Sequence, residues 1–182
     1  MFTDARSKKI VLVAHCILNQ NAKIDACAHY PGAISEALAA LHAAGVGLVQ
    51  LPCPELLYLG LDRGKAAGSA ATVEAEDTRV ARRMGEAGAR ALCRQLVAGI
   101  VYQLEEYRKH GFEVAGLVGI NCSPTCGVET TWSDDREHAG QGVFTKLLGD
   151  ELAARGLAVK AAGIKAREPE QAVRAIAALL GG

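Results

Sequence analysis

The residues best suited to chemistry in this sequence lie in the polar turn that follows an apolar run at 114–120. This turn contains Ser123, Pro124, Cys126 and Gly127. Pro124 fixes its own φ and pushes Ser123 toward extended geometry, whereas Gly127 tolerates a positive φ that other residues resist. A tight turn of this kind directs the Cys126 thiol and several backbone N–H groups into one small space, as is usual for a thiolate ligand of a metal.

Two further cysteines follow apolar runs in the same way. Cys16 lies after the run at 9–15, and Cys53 lies after the run at 47–51. Each run predicts a buried strand, and the carboxyl ends of parallel strands share the sheet edge at which ligands bind. Neighbouring strands are about 4.8 Å apart. We therefore expect the thiols of Cys16, Cys53 and Cys126 to converge within the dimensions of a metal cluster.

The other three cysteines have simpler interpretations. Cys27 and Cys93 are expected to be small buried hydrophobic residues, as single cysteines in an alanine-rich chain usually are. Cys122 is open to two interpretations, because its Cys-x-x-x-Cys spacing with Cys126 could serve a zinc site although a second close pair is missing.

Three polar candidates accompany the thiols. Glu55 follows Cys53 by two residues and is held by Pro54, so we expect it to face the same crevice. His15 either lines the site or is a core histidine at a strand end. The segment 134–138, with sequence DDREH, resembles a metal cluster on paper, but a solvated loop is the better interpretation.

The elements that must position these residues alternate between strand and helix. Apolar runs predict strands at 9–15, 47–51, 114–120 and 157–164, and apolar periodicity predicts helices at 32–44, 77–110, 144–155 and 169–180. Within the long helical region, Gly85, Gly88 and Gly99 indicate a bend or a close contact with another helix. Polar or glycine-rich loops are expected at 16–30, at 60–68 and through Trp132 and Gly142.

This alternation predicts an α/β fold in which helices cover both faces of a parallel sheet. Right-handed crossovers make 2-1-3-4 the natural strand order. The expected architecture is a single domain over residues 1–182, with a three-layer Rossmann-like or flavodoxin-like sheet.

Composition narrows the classes of partner. The chain has 182 residues, with 20 basic and 20 acidic side chains, and only 4% of its residues are aromatic. A balanced charge and few aromatic rings argue against a nucleic acid partner or an anionic membrane. No apolar run approaches transmembrane length, so we expect a cytoplasmic protein, whose six cysteines are ligands, catalysts or core residues and not disulfides.

Five motifs, in order along the chain, resemble the thiouracil desulfurase family. They are His15-Cys16-Ile-Leu, Lys23-Ile-Asp25, Cys53-Pro-Glu55 with Gly60 and Arg63, Ser123-Pro-Thr-Cys126-Gly127, and Gly140-Gln-Gly142-Val-Phe144. The chain resembles a divergent, desulfidase-like member, because Asn19 and Ala22 stand where better-known members have a glycine and a second cysteine in the first loop.

The resemblance implies a [4Fe-4S] cluster held by Cys16, Cys53 and Cys126, with one iron left open for the sulfur of a thiocarbonyl substrate. It also implies that Glu55 and Ser123 manage protons. The expected activity is a hydrolytic, non-redox desulfurase that releases sulfide from a small thiolated compound such as a thiouracil-like base. Thiolates are the soft ligands that iron–sulfur clusters require.

Two alternatives from other classes stay open. The first is an iron–sulfur or zinc-binding regulatory module without turnover, which would need no acid beside its metal. The second is a thiol-dependent α/β enzyme with Cys126 as its nucleophile. A homodimer through the long helical region at 77–110 is a further expectation.

Overall fold

Four parallel strands from the residues that the structure describes form the central sheet. A computed structural model describes residues 2–65 and 71–181, so the end of the predicted glycine-rich loop at 60–68 lies outside the described residues. The strands in chain order are β1 (Lys9–Val13), β2 (Gly47–Gln50), β3 (Glu113–Ile120), β4 (Thr130–Ser133), β5 (Arg136–Ala139) and β6 (Ala161–Ile164). The sheet has the order β2-β1-β3-β6, which confirms the predicted order 2-1-3-4 for its four members.

Helices cover both faces of this sheet. They are α1 (His15–Leu18), α2 (Ser35–Ala43), α3 (Pro54–Leu59), α4 (Val73–Met84), α5 (Ala87–Lys109), α6 (Val143–Ala154) and α7 (Pro169–Leu180). Alternate residues of β1 point to opposite faces. Ile10 and Leu12 join a core formed with α4, α5 and α6, whereas Val11 and Val13 join a core formed with α1, α2 and α7. The three-layer Rossmann-like architecture is therefore confirmed.

The predicted helical region at 77–110 consists of two helices, because the chain is broken between α4 and α5. The break falls at Gly85, whose N–H donates to both Ala81 O and Arg82 O at 3.1 Å, so the bend predicted there is confirmed. The helical region also begins earlier than predicted, since Thr72 Oγ1 accepts the N–H of Ala75 and caps α4.

Three loops or strands differ from their predictions. The predicted loop at 16–30 starts inside α1 and continues through a 3₁₀ turn, Gln20–Ala22. The predicted loop through Trp132 contains the hairpin β4–β5, because Asp134 and Asp135 both adopt positive φ, which favours a tight two-residue turn. β2 was expected to be buried, yet as an edge strand it is largely exposed.

Within the described part of the chain, no helix combines the length and apolar character needed to cross a membrane. That residues 1–182 form one domain stays a prediction.

Candidate functional site

A cavity of about 150 Å³ lies at the carboxyl edge of the sheet, and all five predicted site residues line it. Cys16 comes from α1 directly after β1, Cys53 from the residue before α3, and Cys126 from the turn after β3. The polar and thiol side chains in its wall are Cys16, Lys23, Cys27, Cys53, Glu55, Arg63, Asp77, Asn121, Cys122, Ser123 and Cys126. The structure thus brings the three predicted ligand thiols, from three separate elements, into one cavity with Glu55.

The turn that carries Cys126 is held by the side chain of Ser123. Ser123 Oγ accepts the N–H of Thr125 at 3.2 Å and the N–H of Cys126 at 3.0 Å. Gly127 N donates to Ser123 O at 3.1 Å and closes the turn. Because both bonds occupy Ser123 as an acceptor, its own hydroxyl proton is still available for donation into the cavity.

Neighbouring backbone segments also pack tightly against this turn at two glycines. A Cβ on Gly127 would lie 2.1 Å from Thr130 O, and a Cβ on Gly142 would lie 2.4 Å from the carbonyl carbon of Thr125. The prediction that Gly127 supplies a positive φ is wrong. Cys122 has the positive φ in this turn, at 68°, and glycine is needed at 127 because there is no room for a side chain.

Asn121 organises the segment between the turn and the hairpin, a role that the sequence alone did not reveal. Its Oδ1 accepts N–H groups from Val128, Glu129 and Thr130 at 3.1 to 3.4 Å. The Glu129 carboxylate in turn accepts the N–H of Gly163 on β6 at 3.0 Å. These bonds tie the Cys126 turn to the neighbouring strand.

Cys53 and Glu55 are positioned by the start of α3. Cys53 is the N-terminal cap of this helix, and its Sγ accepts the N–H of Leu56 at 3.5 Å. Pro54 occupies the first helical position, where the missing N–H is harmless. Glu55 is held by Arg63, whose Nε lies 3.2 Å from Glu55 Oε2.

Arg63 is a buried side chain that joins two loops, a structural role that the sequence did not predict. Its side chain is 2% exposed, and Glu55 is 14% exposed. Its Nη2 donates to Ala22 O at 2.6 Å, and its Nη1 donates to two carbonyls of its own loop, Gly60 O and Leu61 O. Arg63 itself has a φ of 57°, a strained value for a residue with a side chain. The Arg63 side chain therefore links the loop after α1 to the start of α3.

Cys16 and His15 lie on α1 but differ in their surroundings. The Cys16 carbonyl accepts Nε2 of the buried Gln20 at 2.6 Å. His15 is absent from the described lining of the cavity. Its Nδ1 lies 2.9 Å from Gln50 Nε2, and its buried Nε2 has no hydrogen-bond partner within residues 2–65 and 71–181. Burial and then the charge of Arg63 lower the pKa of His15. The residue is half-buried and outside the described cavity lining, so it is neither a site residue nor a satisfied core histidine.

The three thiols are kept neutral by their environment. Burial raises the pKa of Cys16 to about 12 and raises the pKa of Cys126 well above its ordinary value. Burial, followed by the charge of Glu55, also raises the pKa of Cys53. The charges of Cys53 and Cys16 further raise the pKa of Cys126, as expected for thiols that face one another. A bound metal reverses this situation, because a coordinated thiol loses its proton.

The remaining cysteines divide differently from the prediction. Cys93 is fully buried in the core, as predicted. Cys27 was expected to be a core residue, and this is wrong. It is half-buried and lines the cavity, because the segment after the 3₁₀ turn passes over the site. Cys122 also lines the cavity and donates its N–H to Thr130 O at 3.1 Å.

Asp77 of α4 is a cavity residue that the sequence analysis missed. Burial raises the pKa of Asp77 to about 7, and the charge of Glu55 contributes to the increase. A signal was present in the sequence, since Asp77 has the same helical face as the buried Val80 and Met84. An acidic side chain on the apolar face of a helix is a functional candidate when it points into a cavity.

The predicted solvated loop at 134–138 is a turn followed by β5. Asp134 and Asp135 form the exposed turn, and Glu137 pairs with Lys165 at 2.9 Å. His138 Nε2 lies 2.8 Å from Ser133 O within the hairpin. In the described ranges, 2–65 and 71–181, no group of three or more His, Cys, Asp or Glu side chains has the geometry to hold one metal ion.

The match to a family model agrees with the resemblance. The family model described as 2-thiouracil desulfurase matches residues 11–155. The uncharacterized protein MJ0003 of Methanocaldococcus jannaschii is 38% identical over 124 residues, which are 68% of this chain and 70% of that protein. A solved structure, the [4Fe-4S]-dependent thiouracil desulfidase TudS, is 21% identical and matches with a TM-score of 0.44 over 84% of this chain and 90% of the other.

Proposed function

This chain belongs to the 2-thiouracil desulfurase family, and on that premise we propose that it is a [4Fe-4S]-dependent desulfidase. Its substrate would be a small thiolated compound such as a thiouracil-like base, from which sulfur leaves as sulfide by hydrolysis. The observation that carries this proposal is the meeting of the half-buried thiols of Cys16, Cys53 and Cys126 with an arginine-bound glutamate in one cavity.

The donor set suits the proposed cofactor. Cys16, Cys53 and Cys126 would hold the cluster, because they are the cavity thiols that follow three different strands, and the charges of Cys53 and Cys16 both act on Cys126. A cluster binds each thiolate through a different iron, so its ligands need not surround a single point. When bound, the cluster would supply an open iron as a Lewis acid and acceptor for the sulfur of the substrate.

The reaction requires proton transfers that the chain's own residues would perform. A carbon–sulfur bond breaks and a carbon–oxygen bond forms, so that a thiocarbonyl and water give a carbonyl and H₂S without a change in overall oxidation state. Both protons of the water must move from oxygen to sulfur. Glu55 would accept the first of them, and the nearby Arg63 guanidinium supports the carboxylate in this role.

Ser123 would orient the substrate through its free hydroxyl proton while its oxygen holds the Cys126 turn. For Ser123→Ala we expect a loss of roughly 10-fold in turnover and a lower iron content. The two released N–H groups lose hydrogen bonds worth about 1 kcal/mol each. Ser123→Thr keeps the acceptor and is the matched control. If Ser123→Ala retains full iron content and full turnover, both roles assigned to Ser123 are wrong.

The proposed function is tested by anaerobic purification, quantification of iron and sulfide, and incubation with 2-thiouracil and 4-thiouracil. We expect about four irons per chain, as a [4Fe-4S] cluster requires, together with sulfide release and a mass change that matches replacement of sulfur by oxygen. The apo-protein is the control. A fully loaded protein that releases no sulfide from a broad panel of thiocarbonyl compounds would favour the regulatory module instead.

The other expectations about the chain stay predictions. These are the homodimer through the long helical region at 77–110, the absence of a nucleic acid or membrane partner, and the cytoplasmic location. They are independent of the test of sulfide release.

A further inference from the structure

Asp77 lies where two cavities meet. A second cavity, of about 440 Å³, shares part of its wall with the thiol cavity, and Lys23, Cys27, Asp77 and Cys122 line both. The helix that carries Asp77 is fixed because Val80 and Met84 are buried in the core on the same face. Asp77 therefore contacts the inner space with the thiols and the larger space that leads from it.

The Asp77 carboxylate has no hydrogen bond or ion pair within residues 2–65 and 71–181, in contrast to Glu55, which Arg63 contacts. The charged groups that act on it are Glu55 from α3, Lys23 from the segment after the 3₁₀ turn, and Glu74 and Glu76 from its own helix. Cys27 and Cys122 also face it.

Several charged groups that line the larger cavity have partners other than Asp77. Glu137 of β5 pairs with Lys165, and Arg167 Nε donates to His29 Nε2 at 2.9 Å. Glu76, on the same helix as Asp77, pairs with Arg79 at 2.7 Å. Asp77 thus lies in the wall that the two cavities share. No cation within residues 2–65 and 71–181 is bonded to its carboxylate.

Resting on the proposed desulfidase function, we propose that Asp77 is the proton donor to the sulfur that leaves the substrate. In this step the Asp77 O–H bond breaks, an S–H bond forms on the departing sulfur, and Asp77 is left as a carboxylate. Glu55 holds the first proton taken from water and passes it to Asp77 through solvent in the cavity, which restores both groups. The second water proton leaves the oxygen as the carbonyl forms and reaches the departing HS⁻ through the same solvent, so the products are the carbonyl compound and H₂S. No oxidant or reductant is needed.

The electrostatics of the site suit this assignment. Because burial raises the pKa of Asp77 to about 7, a substantial fraction of Asp77 carries a proton at neutral pH and can donate it. Two carboxyl groups that share a cavity and differ in their cation partners are typical of a paired acid and base.

The first test is the pH dependence of kcat/KM for sulfide release by the loaded protein and by Asp77→Asn. An acid must be protonated, so turnover of the parent should be full below pH 7 and should fall as the pH rises above it. Asp77→Asn should lose roughly 10²–10³-fold in turnover with unchanged iron content, and the alkaline decrease should disappear. A decrease caused by ionisation of the substrate would persist in the variant.

The second test is thermal unfolding of the same anaerobic proteins and has no activity readout. A carboxyl whose pKa is higher in the folded than in the unfolded state makes the fold less stable as the pH rises toward the folded pKa. At high pH, Asp77→Asn should therefore be more stable than the parent protein. We expect its advantage in apparent melting temperature to grow by roughly 2–5 °C from pH 5.5 to pH 8. Asp150→Asn, on the exposed face of α6, is the matched control and should show neither effect.

These outcomes separate the two proposals. If the parent releases sulfide and Asp77→Asn keeps its rate and pH profile, the proton-donor role is wrong while the desulfidase function stands. If the parent's turnover rises through pH 7 and the variant loses that rise, Asp77 is a base and the inference is overturned. If the parent releases no sulfide, the inference is overturned together with the proposed function.

Discussion

Alanine at Cys16, Cys53 or Cys126 is expected to abolish assembly of the cluster, because each substitution removes one of the three thiols that would ligate it. Removal of a ligand should lower the affinity for iron by more than the roughly 10–100-fold that follows substitution of a residue hydrogen-bonded to a ligand. Iron and sulfide content and visible absorbance after anaerobic reconstitution measure the effect. Nearly full iron content in any of the three variants would remove that residue from the ligand set.

The chain offers matched controls for this experiment. Cys27→Ser and Cys122→Ser alter thiols that line the same cavity, and Cys93→Ala alters a thiol in the core. All three variants should retain the cluster. Loss of metal in Cys122→Ser, together with stoichiometric zinc in the parent after strictly anaerobic handling, would instead support a site built on Cys122 and Cys126.

Glu55→Gln is expected to lower turnover by roughly 10²–10⁴-fold, the usual contribution of a general acid–base group, while the absorbance of the cluster stays unchanged. The amide keeps the size of the side chain and removes the carboxylate that would accept a proton from water. Sulfide release at saturating thiouracil measures the effect. A Glu55→Gln variant as active as the parent would exclude Glu55 as the base.

The ion pair with Arg63 complicates this variant and suggests a second one. Arg63 is buried, and removal of its anionic partner leaves a guanidinium without compensation, which can destabilise a fold by about 3–5 kcal/mol. Glu55→Asp keeps the negative charge and shortens its reach, so it should fold better than Glu55→Gln and have intermediate activity. Equal loss of melting temperature and of turnover in both variants would indicate a purely structural Glu55.

The position of the thiols was predictable, because it follows from local pattern and general topology. Apolar runs identify the strands before Cys16, Cys53 and Cys126, and right-handed crossovers place the ends of these strands at one edge. The bend at Gly85 was predictable for a similar reason, since glycine weakens a long helix locally.

The contacts that shape the cavity were not predictable in this way. Arg63 reaches Ala22, which is 41 residues away in sequence, and Asn121 accepts three N–H groups from a loop whose path depends on the hairpin. Asp77 acquires its environment only when folding buries it in the cavity that Glu55 of α3 also lines. Such roles depend on distances in the folded structure, and the spacing of residues along the chain does not predict those distances.

The turn that carries Cys126 also has a consequence for the maturation and repair of the protein. The bonds of Ser123 and Asn121 and the tight packing at Gly127 and Gly142 hold this turn without using any thiol sulfur. The turn therefore needs no metal to keep its shape, so the proposed cluster would be assembled on a polypeptide that is already folded at this point. Loss of that cluster would leave the Cys126 turn in place to receive a new one.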